Sequence, residues 1–114
     1  MKQTLVVLAT ITAAAVAGAF AYQTAARDQQ YRLLLARGEA ALRQEQTYAA
    51  LEAYSGAIAL RPDSMLAHLR RAETYRLRGD LGTAAKDFKQ AAALDPAATR
   101  PLEEWGDLLY QLER

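Results

Sequence analysis

The residues that could do chemistry are few in this chain and far apart. His68 is the only histidine and cysteine is absent, so metal sites built on two histidines or on thiolates are excluded, as is a thiol nucleophile. Ser55 and Ser64 stand in no nucleophile elbow and are interpreted as surface or cap residues. Gly79 and Gly82 lack the Lys-Ser/Thr pair that follows a phosphate-binding loop. We therefore expect no enzyme activity, no cofactor and no metal.

The charged residues favour a protein partner over a nucleic acid. Lys2 is the only charged residue before Gln23, and the rest of the chain carries 13 basic and 13 acidic residues, a net charge of zero. A surface that binds nucleic acid would instead carry a stripe of basic residues. The acidic group Glu103, Glu104 and Asp107 is interpreted as the solvated face of a helix and not as a cation site.

Residues 5–22 form an uncharged, strongly apolar segment. As a helix it would reach roughly 27 Å, close to the thickness of about 30 Å of a hydrocarbon core. The pattern predicts that residues 1–24 are a transmembrane helix or a signal segment. Tyr22 would lie at the headgroup level as an interfacial aromatic residue.

Two membrane interpretations of this segment stay open. The apolar run exceeds the usual length of a signal core, which favours a retained single-pass anchor in a bacterial-type inner membrane. Ala19-Phe20-Ala21 also fits a cleavage site, which would release a secreted or periplasmic protein. The signal-like architecture places the remaining chain on the extracytoplasmic side. The arginines after the segment, Arg27, Arg32 and Arg37, favour the opposite orientation by the positive-inside rule.

Small residues form a stripe along the apolar segment. Such stripes let two transmembrane helices approach closely, because packing drives helix association in lipid. The pattern predicts packing against another transmembrane helix, although signal segments are often rich in alanine without any packing role. The residues of the stripe are Ala9, Ala13, Ala14, Ala17, Gly18 and Ala21.

The clearest signal in the chain is an internal repeat with a period of about 34 residues. Residues 31–64 and 65–98 share eight identities. The identical pairs are Leu35/Leu69, Arg37/Arg71, Glu39/Glu73, Ala50/Ala84, Ala57/Ala91, Ala59/Ala93, Leu60/Leu94 and Pro62/Pro96. Each unit therefore has the same local plan.

That plan is two helices joined by a turn. We predict helices near residues 29–44 and 48–60 in the first unit, and near residues 65–78 and 83–94 in the second. Two glycines and an aspartate mark residues 78–82 as a turn. Ser64 and Thr99 are predicted N-caps of the helices that follow them. Small residues at Gly38 and Ala72 would let the two helices of each hairpin approach closely.

These units resemble the tetratricopeptide-repeat (TPR) family. The second unit carries the resemblance most fully, through Ala72, Tyr75, Ala84, Phe88, Ala91 and Pro96. The first unit departs at Ala41, where the family has a large aromatic residue. The implied fold is all-α: a helical-hairpin solenoid over residues 25–114, with units 31–64 and 65–98 and a capping helix over 99–114, preceded by one transmembrane helix.

The last helix is expected to bury one apolar stripe and to show a polar face, as a terminal element of a repeat stack must. Trp105-Gly106 resembles the paired large and small residues of a first helix in this family. The alternative is that the sequence is a piece of a longer array. The predicted stripe consists of Leu102, Trp105, Leu108, Leu109 and Leu112.

The resemblance implies a scaffold that holds a peptide or a helix of a partner protein in a concave groove. Members that bind terminal carboxylates use lysine and asparagine where this chain has Leu35 and Glu39, which argues against that ligand. We therefore expect a membrane-anchored interaction module, such as an accessory or assembly subunit of a membrane complex, or else a soluble secreted module. The groove residues carried over are Arg32, Leu35, Glu39, Leu42, Leu66, Leu69, Glu73, Arg76, Leu77, Arg100, Asp107 and Tyr110.

Overall fold

The computed structural model describes all 114 residues and is entirely helical. Its contacts divide the chain into two compact units, residues 1–30 and 31–114. The five helices are α1 (Lys2–Arg43), α2 (Thr47–Leu60), α3 (Met65–Leu77), α4 (Leu81–Leu94) and α5 (Thr99–Glu113).

The N-terminal unit is a single exposed stretch of α1. Every residue from 1 to 27 is exposed, including Leu5, Ile11 and Phe20. By length and composition α1 can cross a membrane, although a signal sequence meets the same criteria. No separate helix begins near residue 29, because neither glycine nor proline interrupts the chain between Gly18 and Gly38.

The first hairpin packs around a close contact at Gly38. A Cβ atom there would lie 2.6 Å from Tyr54 Cζ and closer still to Cε1, so only glycine fits without movement. Tyr54 and Ala50 are fully buried, and Ala41 is nearly so. The predicted close approach of the two helices is therefore confirmed in this unit.

The turn of the first hairpin needs the left-handed conformation although it contains no glycine. Glu45 has φ 59°, a region in which a Cβ atom is strained. Gly79, which occupies the equivalent position in the turn of the second hairpin, has φ 82° and suffers no such cost. The two turns thus share one backbone path with different residues.

The second hairpin is formed by α3 and α4. Ser64 caps α3 as predicted, because its Oγ accepts from the backbone N–H of Ala67 at 3.1 Å. The predicted turn over residues 78–82 was too long. Helix α4 begins at Leu81 and takes Gly82 into its first turn, with the carbonyl of Asp80 accepting from the N–H of Ala84 at 3.0 Å.

Helix α5 packs on the second hairpin through a face that the sequence only partly predicted. Leu108 is fully buried against Leu69 and Phe88, whereas Leu102, Leu109 and Leu112 are 46%, 42% and 47% exposed. The expected burial of the whole apolar stripe is therefore wrong. Thr99 is also not the cap, because Ala98 holds the N-cap position and no side chain caps this helix.

Candidate partner-binding groove

A groove of about 1350 Å³ lies between α3 and α5. The α3 wall is built from residues three and four positions apart, which share one face of the helix. The inner faces of the same two helices hold the core residues Leu69 and Leu108, so the core sets the spacing of the walls. The residues that line the groove are Glu73, Arg76, Leu77, Leu81, Glu104, Asp107, Tyr110, Gln111 and Arg114.

Two carboxylates, Glu73 and Glu104, lie at the inner end of the groove among arginines. Arg70 Nη1 donates to Glu73 Oε2 at 3.1 Å, and Arg100 Nη2 lies 3.0 Å from Glu73 Oε1. Arg100 Nε donates to Glu104 Oε1 at 2.8 Å. Arg100 therefore links the two carboxylates, and with them α3 to α5.

Burial raises the pKa of Glu73, and the negative charge of Glu104 raises it further, although Arg70 and Arg100 act in the opposite direction. The hydrogen bond to Glu104, aided by the charge of Glu73, raises the pKa of Arg100. Glu104 Oε2 is buried and accepts no hydrogen bond from the protein. The inner end of the groove is thus a cluster of paired charges in which one carboxylate oxygen of Glu104 can still accept a hydrogen bond.

The outer end of the groove combines apolar surface with charge. Leu77 is 70% exposed and Tyr110 is 57% exposed. Arg114 lies over the Tyr110 ring, with 4.7 Å between the guanidinium carbon and the ring centroid, and it also donates to the Tyr110 hydroxyl. Tyrosine and arginine are among the residue types in which protein interfaces are enriched.

The structure brings five of the predicted groove residues together at this surface: Glu73, Arg76, Leu77, Asp107 and Tyr110. Arg100 does not line it but pairs with two carboxylates there. The groove also contains three residues that were not predicted, Leu81, Gln111 and Arg114, and it contains Glu104, which was predicted to lie on a solvated face. An i, i+3, i+7 pattern through Glu104, Asp107 and Gln111 marks the helix face concerned.

The other predicted groove residues lie elsewhere. Leu69 is only 3% exposed and belongs to the core, so its expected place on the groove floor is wrong. Leu35 and Leu42 are half-buried against the first hairpin's core. Leu66, Arg32 and Glu39 are exposed, but none of these three lines the groove.

The residues first considered for catalysis have structural roles. His68 is 7% exposed, and its ring nitrogens lie 3.1 Å from the Pro62 carbonyl and 3.4 Å from Asp87 Oδ1. Arg71 makes two hydrogen bonds to Asp87, at 2.6 and 2.9 Å. These three side chains hold α3 to α4. No group of three or more His, Asp or Glu side chains is arranged to hold a metal ion.

The predicted small-residue stripe lies on the exposed part of α1. Ala9, Ala13, Ala14, Ala17, Gly18 and Ala21 are all exposed. A Cβ atom added at Gly18 would meet nothing within 4 Å. The stripe is therefore accessible for packing against another helix.

Comparison with known proteins identifies the fold. No protein-family model and no curated protein matches the sequence. Among solved structures, the first TPR domain of Spaghetti (RPAP3), bound to the HSP90 peptide SRMEEVD, matches with a TM-score of 0.71 and 21% identity, over 75% of this chain and 69% of that one. The Sgt2 TPR domain from Aspergillus fumigatus matches with a TM-score of 0.70 and 23% identity, over 73% of this chain and 55% of that one.

Proposed function

We propose, from the premise that this protein has the tetratricopeptide-repeat fold, that it binds a segment of another protein in the groove between α3 and α5. The observation that carries the proposal is the composition of that groove, in which exposed Leu77 and Tyr110 adjoin charged Glu73 and Arg76. Apolar contacts supply affinity and the charges fix the register of the bound segment. The proposed role is binding without catalysis.

The groove favours a neutral or basic segment over an acidic one. The Spaghetti domain was solved with the acidic peptide SRMEEVD. Arg70 and Arg100 already pair with Glu73 and Glu104, and Arg76 and Arg114 also line the groove. Two acceptors are left over, because Glu104 Oε2 accepts no hydrogen bond and Asp107 is exposed in the groove without an ion pair, and a basic side chain of the ligand could bind both. We therefore expect SRMEEVD to bind more weakly than a peptide in which its three acidic residues are replaced by lysine. Isothermal titration of both peptides measures this difference, and tighter binding of the acidic peptide would contradict the assignment.

A charge reversal in the groove tests whether it is the binding surface. Arg76→Glu combined with Tyr110→Ala removes two side chains of the groove wall and no fully buried residue. We expect loss of partner capture with an unchanged thermal melt. Lys89→Glu, on an exposed position of α4, is the matched control and retains capture. Capture that survives in the folded double variant would place binding outside the groove.

The N-terminal unit is proposed to be a retained membrane anchor. The proposal is supported by the apolar side chains of residues 5–22, all of which are exposed. Exposure of apolar surface is unfavourable in water but not in the hydrocarbon core of a membrane. Resistance to alkaline extraction, with Met1 or Lys2 as the first residue, is the expected result. The alternative is a soluble secreted or periplasmic protein, whose first residue would be Tyr22 and which an alkaline wash would release.

Within a bilayer we propose that the stripe of small residues on α1 packs against another transmembrane helix, as expected of an accessory or assembly subunit of a membrane complex. Replacing Ala13, Ala17 and Gly18 by leucine should release that partner and leave insertion intact. Replacing Val7, Val16 and Phe20 by leucine is the control, because it retains the small residues.

The proposed location is a bacterial-type inner membrane with residues 31–114 on the extracytoplasmic side. Since the chain has no cysteine, a single Lys89→Cys variant gives an unambiguous probe of orientation. A membrane-impermeant maleimide should label it in intact cells. Labelling only after lysis would place the domain in the cytoplasm.

A further inference from the structure

Helix α5 exposes an apolar surface on the side away from the groove. Leu102, Leu109 and Leu112 are each 42–47% exposed, and Gly106 is exposed between them. These four residues recur at intervals of three and four, so they form one continuous face. We call them the outer face of α5.

The repeat register identifies what covers the equivalent face in the other units. Gly106 occupies the position that Ala72 holds in the second unit and Gly38 in the first. Gly38 lies directly under the Tyr54 ring, and Ala72 is fully buried in one cluster with Ala84 and Phe88. At Gly106, by contrast, an added Cβ atom would meet nothing within 4 Å.

No contact among the five helices explains the glycine at position 106. A glycine in a helix interior costs about 1 kcal/mol relative to alanine. At Gly38 the cost is offset because the Tyr54 ring needs the space. At Gly106 none of the five helices uses that space, so the position is open to a helix that residues 1–114 do not supply.

We propose that the outer face of α5 binds a helix of another protein, which places an aromatic side chain on Gly106. The two helices that fill this role inside the chain share one pattern: a small residue, an aromatic residue four positions later and a small residue three positions after that. In α2 the pattern is Ala50, Tyr54 and Ala57, and in α4 it is Ala84, Phe88 and Ala91. The docking helix has the same chemistry. This surface is separate from the groove and does not depend on it.

The test uses the full-length protein in detergent and a synthetic peptide with the sequence of residues 80–95, which includes all of α4. Trp105, the only tryptophan, is half-buried beside the outer face and reports binding by its fluorescence. We expect a saturable change in emission. The same peptide with Phe88→Ala should bind at least ten times more weakly, because it lacks the ring that would lie on Gly106.

The variant Gly106→Leu fills the space that the ring would occupy. The Cβ atom at this position meets nothing within 4 Å, and leucine has a higher helix propensity than glycine. The helix content of the variant should therefore equal or exceed the wild type's while peptide binding is lost. Gly82→Leu is the matched control, because a Cβ atom there also meets nothing within 4 Å. This control should bind the peptide as the wild type does.

Three results would overturn the proposal. The first is a folded wild type that gives no saturable response to the α4 peptide. The second is equal binding by the Gly106→Leu variant, since binding would then occur elsewhere. The third is concentration-dependent self-association in sedimentation that Gly106→Leu abolishes, because the occupant would then be a second copy of this chain.

Discussion

The two repeats reach the same hairpin geometry by different means. The first uses a glycine under an aromatic ring, at Gly38, and accepts a strained turn at Glu45. The second uses Ala72 at the equivalent position and a relaxed turn at Gly79. The second repeat also has a charged cluster, formed by His68, Arg71 and Asp87, which the first repeat lacks.

That cluster shows how residue choice at equivalent positions changes what holds a hairpin together. His68, Arg71 and Asp87 correspond to Leu34, Arg37 and Ala53 of the first repeat. Ala53 is 2% exposed and Arg37 is exposed, so the first repeat needs no buried ion pair. The same backbone thus accepts either an apolar residue or a paired charge at these positions.

Removing one member of the cluster should have the largest effect on stability. Asp87→Ala installs the first repeat's residue but leaves Arg71 and His68 without their carboxylate. We expect a loss of about 3 kcal/mol, toward the low end for a broken buried pair because Arg71 is partly exposed. Urea denaturation measures it. Adding His68→Leu should recover part of the loss, and a double variant less stable than Asp87→Ala would contradict this explanation.

The close contact in the first repeat should give the next largest effect. Gly38→Ala forces a Cβ atom against the Tyr54 ring, and we expect a loss of about 2 kcal/mol from overpacking. The mirror change in the second repeat, Ala72→Gly, should cost about 1 kcal/mol through helix propensity and about 0.8 kcal/mol through the loss of a buried methyl group. Thermal unfolding of both variants measures the two losses. Because alanine has the higher helix propensity, a Gly38→Ala variant at least as stable as the wild type would show that the contact with Tyr54 imposes no special constraint.

Making the first turn resemble the second should stabilise the protein slightly. Glu45→Gly removes the cost of a left-handed residue with a Cβ atom, and we expect a gain of about 0.5–1 kcal/mol after the greater freedom of the unfolded chain is subtracted. Gly79→Ala is the converse and should lose about 1 kcal/mol. The midpoints of chemical denaturation distinguish the two signs.

The smallest effect is expected from the groove carboxylate Glu73. Burial and the charge of Glu104 raise the pKa of Glu73, so the ionised carboxylate destabilises the folded state at neutral pH. This destabilisation disappears once the pH falls below the pKa of a glutamate in the unfolded chain, about 4.3. Glu73→Gln keeps an acceptor for Arg70 and removes the charge. The variant should therefore be more stable than the wild type at pH 7 and equal to it near pH 4. A difference that does not change with pH would contradict the raised pKa.

Much of the fold was predictable because its signals are local and periodic. The internal repeat predicted two hairpins, and Ser64 predicted the start of α3, since a cap depends only on the first turn of its helix. The glycine at position 38 predicted a close helix approach. Each of these inferences depends only on the spacing of particular residues along the sequence.

The groove was less predictable because it depends on which faces of two separate helices, α3 and α5, are turned toward each other. Leu69 and Leu77 both lie on α3, yet one is 3% and the other 70% exposed. Glu104 belongs to the groove because α5 turns Leu108 inward, which a stripe of five apolar residues did not specify. Three of those five remain exposed, so the sequence alone did not indicate which apolar face of α5 is buried.

The most direct test of the proposed function is site-specific photo-crosslinking in the membranes of the native cell. A photoreactive amino acid at position 77 lies on the groove, and one at position 89 lies on an exposed part of α4 outside it. We predict a discrete crosslinked product of higher mass from position 77 and none from position 89, with the same partner identified by mass spectrometry in replicate experiments. Crosslinking only from position 89, or from neither position in a folded protein, would contradict the assignment of the groove as the partner-binding site.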